Sequence, residues 1–329
     1  MKFVLSSLLV LAAVSARAEN LIKIDGSSTV FPVTEAVSEE FQTFTKGATK
    51  VTVGVSGTGG GFKKFCRGET DVQDASRPIT KEEMASCREA KINYFELPIA
   101  FDAIAIVVNP KNNWVNEITR EELKKMWEPA AQGKIMTWKQ VNAKWPDEKL
   151  SLFGASTDNG TFDYFTEAIV EKSKSSRGDY TAAVDHNTRV MGVNSQKGAL
   201  GYIPFAYYVA NKDKLKLLGV IGGDKAPSKK AVLPSEQTVI SGTYFPLSRP
   251  IFIYVNQASM NKPEVKQYVE FYLDKAAEMS KQVQYIPLPA KAYTTAKEHL
   301  KKQKLGTVFG GEAQVGMTID QILKKEATF

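Results

Sequence analysis

Apolar and polar positions change period several times along the chain, and each change predicts an element. Leu21-Ile22-Lys23-Ile24 reads as a short strand, ended by Asp25-Gly26 and the hydroxyl run Ser27-Ser28-Thr29. Apolar residues then recur at helical spacing, with Val33, Ala36, Val37 and Phe41 on one face. The same order of strand, polar turn and helix returns at Val51-Thr52-Val53-Gly54-Val55, where the turn is Ser56-Gly57-Thr58-Gly59-Gly60-Gly61 and the helix starts at Phe62. It returns again at Leu150-Ser151-Leu152-Phe153, with a turn over residues 156–161 and a helix over 162–169.

Other stretches read as buried strands or packed helices. Residues 97–100 and 103–108 are apolar runs that stop at Asn109-Pro110, and a matching run occurs at residues 248–256. If both cross between two units, the chain leaves a first lobe near Val108, builds a second and returns near Ile251. The expected organisation is therefore a signal segment at 1–18, a discontinuous first lobe at 19–107 and 252–329, and a second lobe at 108–251. Helices are expected at 120–127, with Leu123, Met126 and Trp127 on one face, and at 263–281, with a broad apolar face that includes Val265, Tyr268, Val269 and Tyr272. The tryptophans of residues 138–145 read as core packing.

Compartment follows from the first residues. Lys2 precedes an apolar run over 3–14 and the small-residue tripeptide Ala16-Arg17-Ala18, the pattern of a secretory signal cleaved after Ala18. That run is too short for a bilayer, and no later stretch approaches the roughly 20 apolar residues of a transmembrane helix. An uncleaved anchor is the alternative. The two cysteines, Cys66 and Cys87, would meet an oxidising compartment, so one disulfide is the economical reading; closing such a loop stabilises by about 3 kcal/mol in the chain-entropy model. A metal site would want more ligands than His186 and His299 add. The formal charge is +7 with the lysines scattered, which suits anions in general and lacks the basic stripe with stacking aromatics of a nucleic-acid binder.

Glycine and hydroxyl residues ahead of a helix can hold an anion, because unpaired backbone N–H groups point outward there and the helix dipole is positive. Any one such turn is equally well a helix cap; three in one exported chain suit a tetrahedral oxyanion such as phosphate. Arg77, in Asp74-Ala75-Ser76-Arg77-Pro78-Ile79, offers a guanidinium fork to phosphate oxygens, or else a surface ion pair. A carboxylate would tell protonated phosphate from sulfate, since it accepts the ligand's proton and repels an anion that has none. Asp74 and Asp158 are the candidates.

At these residues the chain resembles the phosphate-binding proteins of phosphate-specific ABC transporters. The matching runs are 25–32 (Asp-Gly-Ser-Ser-Thr-Val-Phe-Pro), the turn 56–61, Ala75-Ser76-Arg77-Pro78-Ile79, and 157–165 (Thr-Asp-Asn-Gly-Thr-Phe-Asp-Tyr-Phe). The resemblance implies an α/β, two-lobed type II periplasmic-binding-protein fold, with phosphate in the cleft between lobes joined by two crossing strands. No cofactor, metal or catalysis is implied. Partners would be inorganic phosphate and a membrane permease, with the protein a periplasmic monomer. Carried over by position, Ser28, Thr29 and the backbone of Val30 donate from the first turn, Ser56 from the second, and Asn159, Gly160 and Thr161 from the third. Cys66 and Cys87 match paired cysteines of one branch. Two departures stand out: Asn159 replaces a serine of many members, and Arg77 and Asp158 hold the ionic roles on sides opposite to the better-known pattern. Sulfate or molybdate is the alternative ligand. A secreted phosphatase would need a metal cluster or an activated nucleophile, which the sequence does not offer.

Overall fold

The computed structural model describes residues 20–157 and 159–311; the expected signal segment and Asp158 lie outside the described residues. In chain order the strands are β1 (Asn20–Gly26), β2 (Thr49–Gly54), β3 (Val72–Ala75), β4 (Tyr94–Val108), β5 (Glu117–Thr119), β6 (Ser151–Ala155), β7 (Thr181–Ala183), β8 (Ala199–Pro204), β9 (Lys216–Leu217), β10 (Gly219–Ile221), β11 (Ser248–Asn256) and β12 (Ile286–Pro287). The α-helices are α1 (Phe31–Phe44), α2 (Thr58–Phe65), α3 (Lys81–Glu89), α4 (Arg120–Trp127), α5 (Trp138–Val141), α6 (Gly160–Phe165), α7 (His186–Ser195), α8 (Phe205–Val209), α9 (Glu236–Ile240), α10 (Pro263–Gln282) and α11 (Ala290–Lys301).

The main sheet runs β2-β1-β3-β11-β4-β8-β6-β7, with β9 and β12 also paired to β4. Strand β4 joins its two halves: residues 94–103 pair with β11, and 104–108 pair with β8. The result is a mixed α/β, two-lobed molecule. Strands β1, β2 and β3 are parallel on one side, and β6, β7 and β8 on the other. Because β8 is antiparallel to β4, the carboxyl ends of both parallel sets face the same middle region. Ligands of open α/β sheets sit at such carboxyl ends.

Helix α4 forms over the expected residues and is closed by a capping box between Thr119 and Glu122. Trp127 and Trp138 are fully buried, Trp127 edge-on to Phe165, Tyr180 and Tyr202, and Trp138 edge-on to Trp114 and Trp145. Phe41 of α1 packs edge-on against Tyr268 of α10 at 5.1 Å between ring centroids.

Two expectations change. The runs 97–100 and 103–108 form one strand, because the charge of Asp102 between them is met in register by Arg249 on β11. Pro98 has no N–H to give the ladder, and it pairs where the β11 register shifts between Ile251 and Phe252. Helix α2 starts at Thr58 rather than Phe62, so the glycine run is its first turn. Gly61 has to be glycine there, since a Cβ would lie 2.1 Å from Gln73 Oε1 and 2.7 Å from the Gly26 Cα. The glycines let α2 lie directly on β1 and β3.

Candidate functional site

Hydroxyl groups from the ends of β1, β2, β3 and β6 meet in the middle of the molecule. Thr29 Oγ1 lies 3.1 Å from Thr161 Oγ1, joining the turn after β1 to the turn after β6. Asn159 Nδ2 donates to Ser28 Oγ at 3.1 Å across the same gap. Thr58 Oγ1 lies 3.1 Å from Ser76 Oγ, and it also accepts from the Ser76 N–H at 3.3 Å. Gly160 faces this second pair: a Cβ on it would sit 2.0 Å from Ser76 Oγ and 2.8 Å from Thr58 Oγ1. A side chain at position 160 would therefore hold the two lobes apart.

The base of this cluster is ionic. Arg249 is 3 % exposed and donates from Nη1 to the Gly160 carbonyl at 2.7 Å and from Nη2 to Thr161 Oγ1 at 3.3 Å. Its Nε and Nη2 also reach Asp102 Oδ2 at 3.2 and 3.0 Å. Arginine can only donate, so Thr161 Oγ1 accepts from it and its single proton is free to point toward Thr29 and the cleft. Either hydroxyl can donate in the Thr29–Thr161 contact.

Ser28, Thr29, Asn159, Gly160 and Thr161 come together, and other expected ligand groups are committed elsewhere. The N–H of Val30 donates to the Ser27 carbonyl at 3.1 Å, closing its own turn. The hydroxyl of Ser56 is bonded to Asp25 Oδ1, and Thr58 takes its place in the cluster because α2 begins two residues later. The carboxyl of Asp74 turns into the lobe, where Oδ1 accepts from Thr34 Oγ1 at 2.9 Å and Oδ2 has no partner. Burial pushes that carboxyl up to about 8, with Asp25 adding to the rise. The carboxyl faces Thr34 of α1 rather than the hydroxyls.

Arg77 is likewise engaged. It forms a fork on Glu83 at 2.8 and 2.9 Å, donates to the Pro78 carbonyl at 3.0 Å, and reaches Asp163 across the cleft at 3.3 Å. Two carboxylates share one guanidinium, so no positive charge is left over for a ligand. Glu83 is also the reciprocal partner of Thr80 in the capping box of α3, and Cys66 and Cys87 form a disulfide that ties the end of α2 to α3. These bonds fix the frame around the second turn.

Comparison with known proteins gives the family. A family model described as a PBP superfamily domain matches residues 13–276. Protein SphX of Synechococcus elongatus is 50 % identical over 98 % of this chain and 94 % of its own length. The phosphate-binding protein PstS of Staphylococcus saprophyticus is 36 % identical over 91 % of this chain and 89 % of its own. This chain belongs to the PBP superfamily, in the family of the phosphate-binding proteins. Its structure is similar to that of a putative phosphate ABC transporter substrate-binding protein of Clostridium perfringens with bound phosphate, at a TM-score of 0.65 and 25 % identity, covering 82 % of this chain and all of that one.

Thr58, Ser76, Asp102 and Arg249 belong to this cluster, and reasoning from the sequence passed over them. A signal for two of them was present. Asp102 and Arg249 are the single acidic and the single basic residue of two apolar runs expected to cross between lobes. A charge inside a buried strand requires a partner, and the two runs supply one each.

Proposed function

We propose that this protein captures inorganic phosphate between its two lobes, in the periplasm, and delivers it to the membrane permease of an ABC importer. The observation that carries the reading is the meeting of hydroxyls from both lobes, Thr29 with Thr161 and Thr58 and Ser76 with Gly160, with Arg249 beneath. Neutral hydroxyls bind an oxyanion without first shedding a tightly held hydration shell of their own, and Arg249 supplies charge-assisted bonding. The family relationship to PstS and the resemblance to a phosphate-bound structure support the same ligand. Ser28, Asn159 and the backbone of the third turn complete the set. Asp158 is the carboxylate that would accept the ligand's proton, since Asp74 is committed to Thr34.

Binding without turnover is the activity we assign. Residues 1–18 would direct export, and the two crossing strands β4 and β11 would serve as the hinge. Calorimetric titration of the mature protein, unfolded and refolded to remove carried-over anion, tests the reading. One-to-one binding of phosphate with no heat from sulfate at matched ionic strength is the expected outcome. A folded protein that is silent toward phosphate overturns it.

A further inference from the structure

Arg249 is held along its edges by hydrogen bonds and across its face by an aromatic ring. Along the edges, Nε and Nη2 both go to a single oxygen, Asp102 Oδ2, while Nη1 reaches the Gly160 carbonyl and Nη2 also reaches Thr161 Oγ1. Two donors on one oxygen make a pivot, unlike the two-oxygen fork that would fix the plane of a guanidinium. The face is covered by the ring of Tyr164, whose centroid lies 5.0 Å from Arg249 Cζ. Tyr164 is buried on α6, one helical turn after Gly160, so the carbonyl and the ring that meet Arg249 stand on the same side of the helix.

The far end of Tyr164 is fixed as well. Its hydroxyl has one proton and lies 2.8 Å from the Pro246 carbonyl and 2.6 Å from the Ser248 carbonyl, so it donates between them. Ser248 opens β11 and immediately precedes Arg249. Tyr164 therefore grips this strand twice, by its hydroxyl on the backbone before Arg249 and by its ring on the Arg249 side chain. The third turn and the crossing strand that carries the cation are joined through it.

We propose that Tyr164 is a positioning residue for phosphate binding: its ring face sets the plane of Arg249, so that the guanidinium donors stand at Gly160 and Thr161 before the ligand arrives. This rests on the reading of the cleft as a phosphate site with Arg249 in it. Ring and hydroxyl have separate duties. The aromatic face attracts a desolvated guanidinium and acts on the geometry of the donors. The hydroxyl satisfies two carbonyls and acts on the stability of the fold. Phenylalanine keeps the first and loses the second; leucine loses both.

Calorimetry with inorganic phosphate, together with thermal melts of the same anion-free protein, reads the two duties apart. Tyr164→Phe should keep phosphate affinity within about twofold of wild type and melt about 2–4 °C lower. Tyr164→Leu should melt at that temperature or below it and bind phosphate roughly fivefold to thirtyfold more weakly than Tyr164→Phe. In an Arg249→Met background the leucine and phenylalanine variants should differ by less than about twofold, because the ring acts through the guanidinium. Tyr164→Met serves if leucine does not fold. Equal phosphate affinity of the phenylalanine and leucine variants overturns the proposal and leaves the phosphate reading intact. The same difference between them with and without Arg249 does so too, as does failure of both the leucine and the methionine variant to fold, which assigns the ring to the core. Wild type that takes no phosphate overturns both readings.

Discussion

Arg77 and Arg249 are both buried, both ion-paired and both beside the cleft, yet they are shared differently. Arg77 lies on a turn and is held by Glu83 and Asp163, one from each side of the gap. Arg249 lies on a crossing strand, meets one carboxylate, and uses its remaining donors on Gly160 and Thr161 of the third turn. An arginine enclosed by two carboxylates braces the lobes; one with donors aimed at the ligand turn can act on a ligand. The difference lies in the count of acceptors around each guanidinium, which no motif encodes.

The sharpest way to break this comparison is to remove Arg249. Arg249→Met should cost about 2–5 kcal/mol of phosphate binding, roughly thirtyfold to several-thousandfold in affinity, and Arg249→Lys should fall between. Retained affinity by calorimetry would return the guanidinium role to Arg77. Next in size is Gly160→Ala. Its methyl would press on Ser76 and Thr58, and overpacking of about 1–3 kcal/mol should weaken phosphate binding roughly fivefold to 150-fold. Small-angle scattering should show the lobes failing to close on phosphate, whereas normal closure would show that the hydroxyls yield.

Arg77→Met should leave phosphate affinity within about threefold while lowering stability by about 3–5 kcal/mol, because Glu83 and Asp163 lose their cation. Denaturant melts and titration of one sample read both quantities, and a large affinity loss with little loss of stability would reverse the two arginines' roles. The smallest effect on phosphate affinity is at Asp74. Its folded carboxyl sits near 8 against an ordinary 3.8, so the folded state holds a proton that the unfolded chain releases. Stability from this group is full below about 4 and is lost as pH rises toward 8. Asp74→Asn should flatten that decline in melts across pH 5–8 with phosphate affinity unchanged. A changed phosphate-to-sulfate preference would instead put Asp74 back in the site.

Much of the frame was legible before the structure. Helices α4 and α10 form where their apolar faces place them, and β1 and β6 lie where short apolar runs end in hydroxyl turns. Of the candidate site, Ser28, Thr29, Asn159, Gly160 and Thr161 were named because they sit in runs that match the family's motifs. Ser56 and Thr58 were not separable, because the choice depends on where α2 begins. That is set by how closely glycine backbone can approach Gly26 and Gln73. Asp74 and Asp163 both look like free carboxylates in a motif, but burial and neighbours decide which faces Thr34 and which meets Arg77.

The sequence by itself determined the two-lobed α/β class, the three hydroxyl turns and the pairing of Cys66 with Cys87, because short-range patterns and few alternatives specify them. Only the tertiary structure decided which charges are spent. Arg77 and Arg249 are alike as residues. Their surroundings differ because the fold places two carboxylates beside the first and one beside the second, and the balance of buried charge is a property of neighbours far apart in the chain.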